Sequence, residues 1–156
     1  MSHIVVIGAG QAGSSLVAKL RSEGFEGKIT LIGEEASPPY QRPPLSKKYL
    51  TGEMELERLF LRPTAYYADN NIELLLSSAA KSIDALAKTV TVGDRKIPYD
   101  QLALTTGSVP RRLPDAIGGG LKGVHVVRGL ADVDAMAPGV ATGKRVLIVG
   151  GGYIGL

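Results

Sequence analysis

The run at residues 4–13, Ile-Val-Val-Ile-Gly-Ala-Gly-Gln-Ala-Gly, constrains this chain more than any other stretch. Four consecutive apolar residues without polar alternation predict a strand buried on both faces, as in a parallel sheet. Gly8, Gly10 and Gly13 follow at G-x-G-x-x-G spacing. The first glycine allows a tight turn, the second lets a pyrophosphate touch the backbone, and the third lets a helix pack on the strand. Ala12, Leu16, Val17 and Leu20 then recur at helical spacing, and Gly24 offers a stop. A second apolar strand at 29–32 runs into Gly33-Glu34-Glu35, with Glu34 placed 21 residues after Gly13. That is the position of a carboxylate that grips an adenosine ribose. Strand, turn, helix, strand and acid in this order read as a dinucleotide site. The helix amino terminus supplies about half a positive charge and unpaired N–H groups for a phosphate. The pattern leaves FAD and NAD open.

Composition narrows the classes. At 156 residues the chain suits one sizeable core. The net charge of +3 is the balance of 18 scattered Lys and Arg against 15 Asp and Glu, and aromatics are 5%, so the surface reads as ordinary and neither a nucleic-acid face nor a base-stacking platform is expected. The absence of cysteine removes disulfides, thiolate metal sites, iron–sulfur ligation and a catalytic dithiol from this chain. No basic leader and no long apolar run are found, so a soluble, cytoplasmic protein is expected. His3 and His125 are far apart in sequence and neither reads as a metal ligand.

Four of the nine prolines fall at positions 38–44, which predicts a stiff, extended loop. Residues 45–50 read as a short helix with Ser46 near its start, fixing Lys47 and Lys48 in space; two solvated lysines on a surface loop are the plainer alternative. Pro63 opens a short helix over 64–71 in which Tyr66 and Tyr67 are expected to pack. Residues 72–76 read as a buried strand, and 79–83, 89–92 and 96–99 as a small antiparallel insertion turning at Gly93-Asp94-Arg95. A buried strand resumes at 102–107, and the loop at 108–123, rich in Pro, Gly and Arg, marks a domain boundary. Strands are expected at 124–127 and 145–149, with a helix at 131–141 between them. Gly150-Gly151-Gly152-Tyr153-Ile154-Gly155 then repeats the glycine fingerprint 142 residues after the first. With Leu156 last, this second site is expected to be unfinished, lacking a helix and an acid-bearing strand.

These residues carry a resemblance. Ile-Gly-Ala-Gly-Gln-Ala-Gly at 7–13, Tyr-Gln-Arg-Pro-Pro-Leu-Ser-Lys at 40–47, Leu-Thr-Thr-Gly at 104–107 and Gly-Gly-Gly-Tyr-Ile-Gly-Leu at 150–156 resemble the FAD-dependent ferredoxin reductases of bacterial oxygenase systems. The proline-serine-lysine segment is the most specific part, since the glycine motifs are shared with glutathione reductase and many flavoproteins. The family's Ala-Thr-Gly is met here by Thr105-Thr106-Gly107, a threonine standing where alanine is usual.

The resemblance implies an α/β, Rossmann-like fold of the glutathione-reductase type with a small antiparallel insertion. Residues 1–107 would be the first segment of an FAD-binding domain, and 108–156 a linker and the start of an NAD-binding domain. FAD would lie on Gly8, Gly10, Ala12 and Gly13, with Ala12 and Gly13 on the pyrophosphate and Glu34 on the ribose. Ala80 would contact adenine through its backbone, Lys47 would sit beside the flavin ring with Arg42 nearby, and Arg128, Thr106 and Gly107 would complete the set. NADH or NADPH would use Gly150, Gly152 and Gly155. Relatives with a thiol relay carry Cys after the acidic strand end; here Arg42-Pro43-Pro44-Leu45-Ser46-Lys47 stands instead. The implied activity is therefore transfer of electrons from NAD(P)H through FAD to a two-iron ferredoxin serving an oxygenase, with Lys47 as the catalytic residue favouring the charge that builds on reduction. Competing readings are a stand-alone dinucleotide-binding module without turnover and a related FAD reductase with another acceptor. The family's chain is much longer, so the 156 residues alone are expected to be inactive.

Overall fold

The computed structural model describes residues 2–155. They form two compact units, one of residues up to 40 with 60–107, the other of 41–59 with the residues from 108 on. A boundary thus falls after Gly107, and the proline-rich segment after Tyr40 groups with the later residues.

The first unit opens with β1 (His3–Ile7), α1 (Gln11–Ser22) and β2 (Lys28–Ile32). It continues through α2 (Ala65–Asp69), β3 (Ile72–Leu75), β4 (Ala80–Asp84), β5 (Thr89–Val92), β6 (Arg95–Pro98) and β7 (Gln101–Leu104). Four strands make a parallel sheet in the order β3-β2-β1-β7. β4, β5 and β6 form a separate antiparallel meander. The unbroken apolar run of β1 has its reason in this layering. Ile4 and Val6 pack with Val17, Ile29, Leu31, Tyr67 and Ile72 on the helical side. Val5 and Ile7 pack with Ile32, Val90, Val92 and Ile97 under the meander. Each such side chain, fully buried, is worth roughly 1.5–3 kcal/mol. Tyr67 is buried and its hydroxyl lies 3.1 Å from Ser14 Oγ inside α1, so it packs as expected.

The second unit holds a kinked helical stretch at Leu45–Tyr49, a 3-10 turn at Leu56–Leu59 and α3 (Leu130–Met136). Several expectations are corrected here. The turn at Leu45–Tyr49 has no side-chain cap, and Ser46 does not provide one. The helix expected over 131–141 ends at Met136 and tightens into a 3-10 turn, Ala137–Gly139, because Pro138 cannot donate an N–H to continue it. Residues 124–127 and 145–149 are not strands. A strand exists only where a neighbour completes its hydrogen bonds, and no described residue pairs with either run. Leu147 is 88% exposed. No helix among the described residues is long and apolar enough to cross a membrane.

A polar cluster ties the opposite end of the parallel sheet to the meander. The Thr30 hydroxyl, fully buried, donates to Glu73 Oε2 at 3.0 Å, so His3 Nε2–H is the donor across the 2.8 Å to Thr30 Oγ1. Lys28 Nζ lies 2.9 Å from Glu73 Oε2 and Arg95 Nη2 3.7 Å from Oε1. The Lys28 hydrogen bond holds the Glu73 carboxyl below the usual range, and burial lowers the His3 imidazole. Both groups therefore bind fewer protons folded than unfolded. Their contribution to stability is full above pH 6.5, begins to fall as the unfolded His3 protonates, and falls again below pH 4.5 as Glu73 protonates. In urea unfolding, Glu73→Gln should lower stability at pH 7 by on the order of 1 kcal/mol and flatten the decline below pH 4.5. A variant curve parallel to the parent's would contradict this.

Candidate dinucleotide-binding site

The turn between β1 and α1 is built so that its three glycines meet three different surroundings. Gly8 has φ +112°, and a Cβ there would overlap the Thr105 carbonyl oxygen just beyond β7. Its N–H donates to the Ile32 carbonyl at 2.8 Å, fixing the turn to the end of β2. A Cβ on Gly13 would overlap the Gly8 carbonyl oxygen and come within 3.1 Å of Leu31 Cδ1, so the third glycine lets α1 approach the strands. Gly10 differs: its φ of −97° suits any residue, and no protein atom lies within 4 Å of where a Cβ would be. Nothing in the folded chain demands glycine there.

α1 begins immediately after Gly10, with no side-chain cap and no acidic residue in its first turn. Its first N–H groups are thus left for an anion. Ala12 is exposed in this first turn, which corrects its expected place on the packed face. The packed stripe is Gly13, Ser14, Val17 and Ala18, with Leu16 and Leu20 half-buried against the core beside it as expected. An open backbone at Gly10, a bare helix start and the carboxyl edge of the parallel strands beside them fit a pyrophosphate.

The adjoining strand ends extend this edge. Glu34 follows β2 and is exposed, whereas Glu35 receives a hydrogen bond from the Tyr40 hydroxyl. The backbone separates the two acids: one is engaged within the protein and the other presents its carboxylate at the strand's carboxyl end. The Glu35 carbonyl accepts from Ser77 at 3.0 Å and the Gly33 carbonyl from Ser78 at 2.8 Å, which brings the approach to Ala80 alongside. Ala80 opens β4 opposite Val92, next to a bulge, and is half-buried. Thr106 and Gly107 are exposed after β7.

In the second unit, Arg42 Nη1 donates to the Arg128 carbonyl at 2.7 Å, joining two predicted site residues 86 positions apart. Arg128 is held in turn by Asp132, whose carboxylate accepts from the N–H groups of Arg128 at 3.2 Å and Gly129 at 2.8 Å. Tyr49 donates to Asp134 Oδ1 at 2.8 Å, linking the lysine-bearing turn to α3. Lys47 is exposed and interrupts its turn with non-helical angles, φ −129° and ψ −115°.

The second glycine motif has the shape of the first. Gly150 has φ +116°, against +112° at Gly8. A Cβ on Gly155 would lie 2.6 Å from the Gly150 carbonyl oxygen, and Gly155 N–H donates to Gly152 O at 2.9 Å. The turn forms without a flanking strand.

Sequence reasoning missed Asp132, Asp134 and the side chain of Thr105. Asp132 had a detectable signal, an acid three residues into a helix behind Gly129. The Thr105 contact is between residues 97 apart and has no local signature.

Comparison with known proteins gives the family and the fold. The family model for the pyridine nucleotide-disulphide oxidoreductases matches residues 2–156. A probable ferredoxin reductase of Castellaniella defragrans is 43% identical over 156 residues, covering 99% of this chain and 38% of its own. Rhodocoxin reductase of Rhodococcus erythropolis is 43% identical over 154 residues, covering 98% and 36%. Among solved structures, the covalent putidaredoxin reductase–putidaredoxin complex matches with a TM-score of 0.93 and 38% identity, over 99% of this chain and 38% of that one. The chain thus spans little more than a third of the length of the relatives it matches.

Proposed function

Because the chain belongs to the pyridine nucleotide-disulphide oxidoreductase family, we propose that the protein carrying it is an FAD-dependent NAD(P)H:ferredoxin reductase. Its electrons would pass to a two-iron ferredoxin serving an oxygenase. The observation that carries this reading is the Gly8–Gly13 turn, whose outer glycines are required by packing while Gly10 is required by nothing in the protein. The same turn recurring at Gly150 supports a second nucleotide. Relatives named for ferredoxin and rhodocoxin reduction support the acceptor class.

In this reading residues 1–107 begin the FAD domain and 108–156 lead into the NAD domain. Gly8, Gly10, Ala12 and Gly13 hold the FAD pyrophosphate through backbone N–H groups, Glu34 accepts from the ribose, and Ala80 supports adenine through its backbone. Thr106, Gly107, Arg42 and Arg128 complete the FAD set, and Gly150, Gly152 and Gly155 cradle the nicotinamide nucleotide. FAD, when bound, supplies the step between a two-electron hydride donor and a one-electron acceptor. Lys47 contributes a fixed positive charge favouring the reduced form, and the absence of cysteine means that no thiol of this chain relays the electrons.

The full-length protein should reduce a two-iron ferredoxin with NADH or NADPH, monitored by the ferredoxin's visible bleaching. Flavin reduction with no transfer to any iron–sulfur acceptor would contradict the ferredoxin assignment. Glu34→Ala removes a charged hydrogen-bond acceptor worth about 1.5–3 kcal/mol and should weaken FAD binding roughly ten- to a hundredfold in fluorescence titration. Glu35→Gln should have a much smaller effect, since that carboxylate already serves Tyr40. The reverse ranking would reassign the ribose ligand.

A further inference from the structure

Beyond the motif residues, one side chain touches both packing glycines of the first turn. Thr105 reaches β1 through its backbone, its N–H donating to the Ile7 carbonyl at 2.8 Å. Its hydroxyl lies 2.8 Å from the Gly8 carbonyl oxygen and 3.1 Å from that of Ile7. Both oxygens are acceptors, so the single hydroxyl proton is donated to this pair, with the shorter approach to Gly8. The Thr105 carbonyl closes against the α-carbon of Gly8, and its Oγ1 lies 3.0 Å from where a Cβ on Gly13 would be. The residue therefore seats under the turn, between the glycine that starts it and the glycine where α1 comes closest.

We infer that Thr105 is a positioning residue, its hydroxyl holding the Gly8 carbonyl and so the turn that presents the first N–H groups of α1 to the FAD pyrophosphate. An alanine at this position would keep the backbone contacts and lose the donor. Without it the Gly8 carbonyl loses its hold on the β7 side, and part of the binding free energy is spent re-forming the positive-φ turn. The inference rests on the assignment of FAD to this turn.

The test uses the full-length protein with Thr105→Val, which keeps the shape and removes the donor, and Thr105→Ser, which keeps the donor. Amide exchange in the FAD-free protein reports the turn directly, through the Gly8 N–H bonded to Ile32. Thr105→Val should exchange faster at Gly8 and bind FAD about fivefold more weakly, the effect of one net hydrogen bond. Thr105→Ser should recover most of both. Unchanged exchange in Thr105→Val, or a serine variant as weak as the valine variant, would overturn the positioning role. Faster exchange with parental FAD affinity would overturn it too. In that case a Gly10→Ala variant that also binds FAD normally would show that the FAD assignment itself had failed; a weakened Gly10→Ala variant would leave that assignment standing and sink only the role of Thr105.

Discussion

Gly10→Ala should leave the protein folded and weaken FAD binding by about a hundredfold. The two halves of that result come from the same observation. At Gly10 the backbone is extended, with φ −97°, and no protein atom lies within 4 Å of a would-be Cβ. An added methyl therefore meets no protein, and although alanine is a poorer N-cap than glycine, the exchange costs only about 1 kcal/mol, which leaves the protein folded. The methyl would instead occupy the space into which a pyrophosphate must come to reach the N–H groups at the start of α1. Hydrogen bonds to a charged group are worth about 1.5–3 kcal/mol each, so displacement from one or two of them accounts for about two orders of magnitude. Thermal unfolding of the FAD-free protein and fluorescence titration with FAD check the halves separately. A variant that unfolds early yet binds normally would invert the account of this glycine.

Gly13→Ala should do the opposite and damage the fold first. Its methyl would overlap the Gly8 carbonyl oxygen, which is backbone, while Leu31 Cδ1 at 3.1 Å and Thr105 Oγ1 at 3.0 Å close the other sides. A flexible side chain could swing away; the Gly8 carbonyl cannot without unmaking the turn. Overpacking of this kind costs about 3 kcal/mol, enough to lower the melting temperature by several degrees. Calorimetry on the FAD-free variant is the check, and a melting temperature within a degree or two of the parent would show that α1 does not sit against the turn as described.

The difference between these glycines could not be read from spacing alone. The motif at 8–13 told that a tight turn, a ligand approach and a helix contact were wanted, because each is a local requirement written into consecutive residues. β1, α1, β2 and the meander were legible for the same reason, their periodicities being set by their own side chains. The runs at 124–127 and 145–149 failed because a strand is defined by its neighbour, and apolar composition says nothing about whether that neighbour is present. The contacts of Arg42 with Arg128 and of Thr105 with Gly8 were hidden for a related reason: they join residues 86 and 97 positions apart. Spacing singled out Glu34 over its neighbour, and the engagement of Glu35 by the Tyr40 hydroxyl gives that choice a structural reason.

The central claim is that the turn at Gly8–Gly13 holds FAD. The most direct measurement is to purify the full-length protein, release its cofactor by heat, and identify it by chromatography and absorption, alongside the same preparation of Gly10→Ala. The account predicts FAD from the parent, close to one per chain, and strongly depleted flavin from the variant. A nicotinamide nucleotide without flavin from the parent, or full FAD occupancy in the variant, would contradict it.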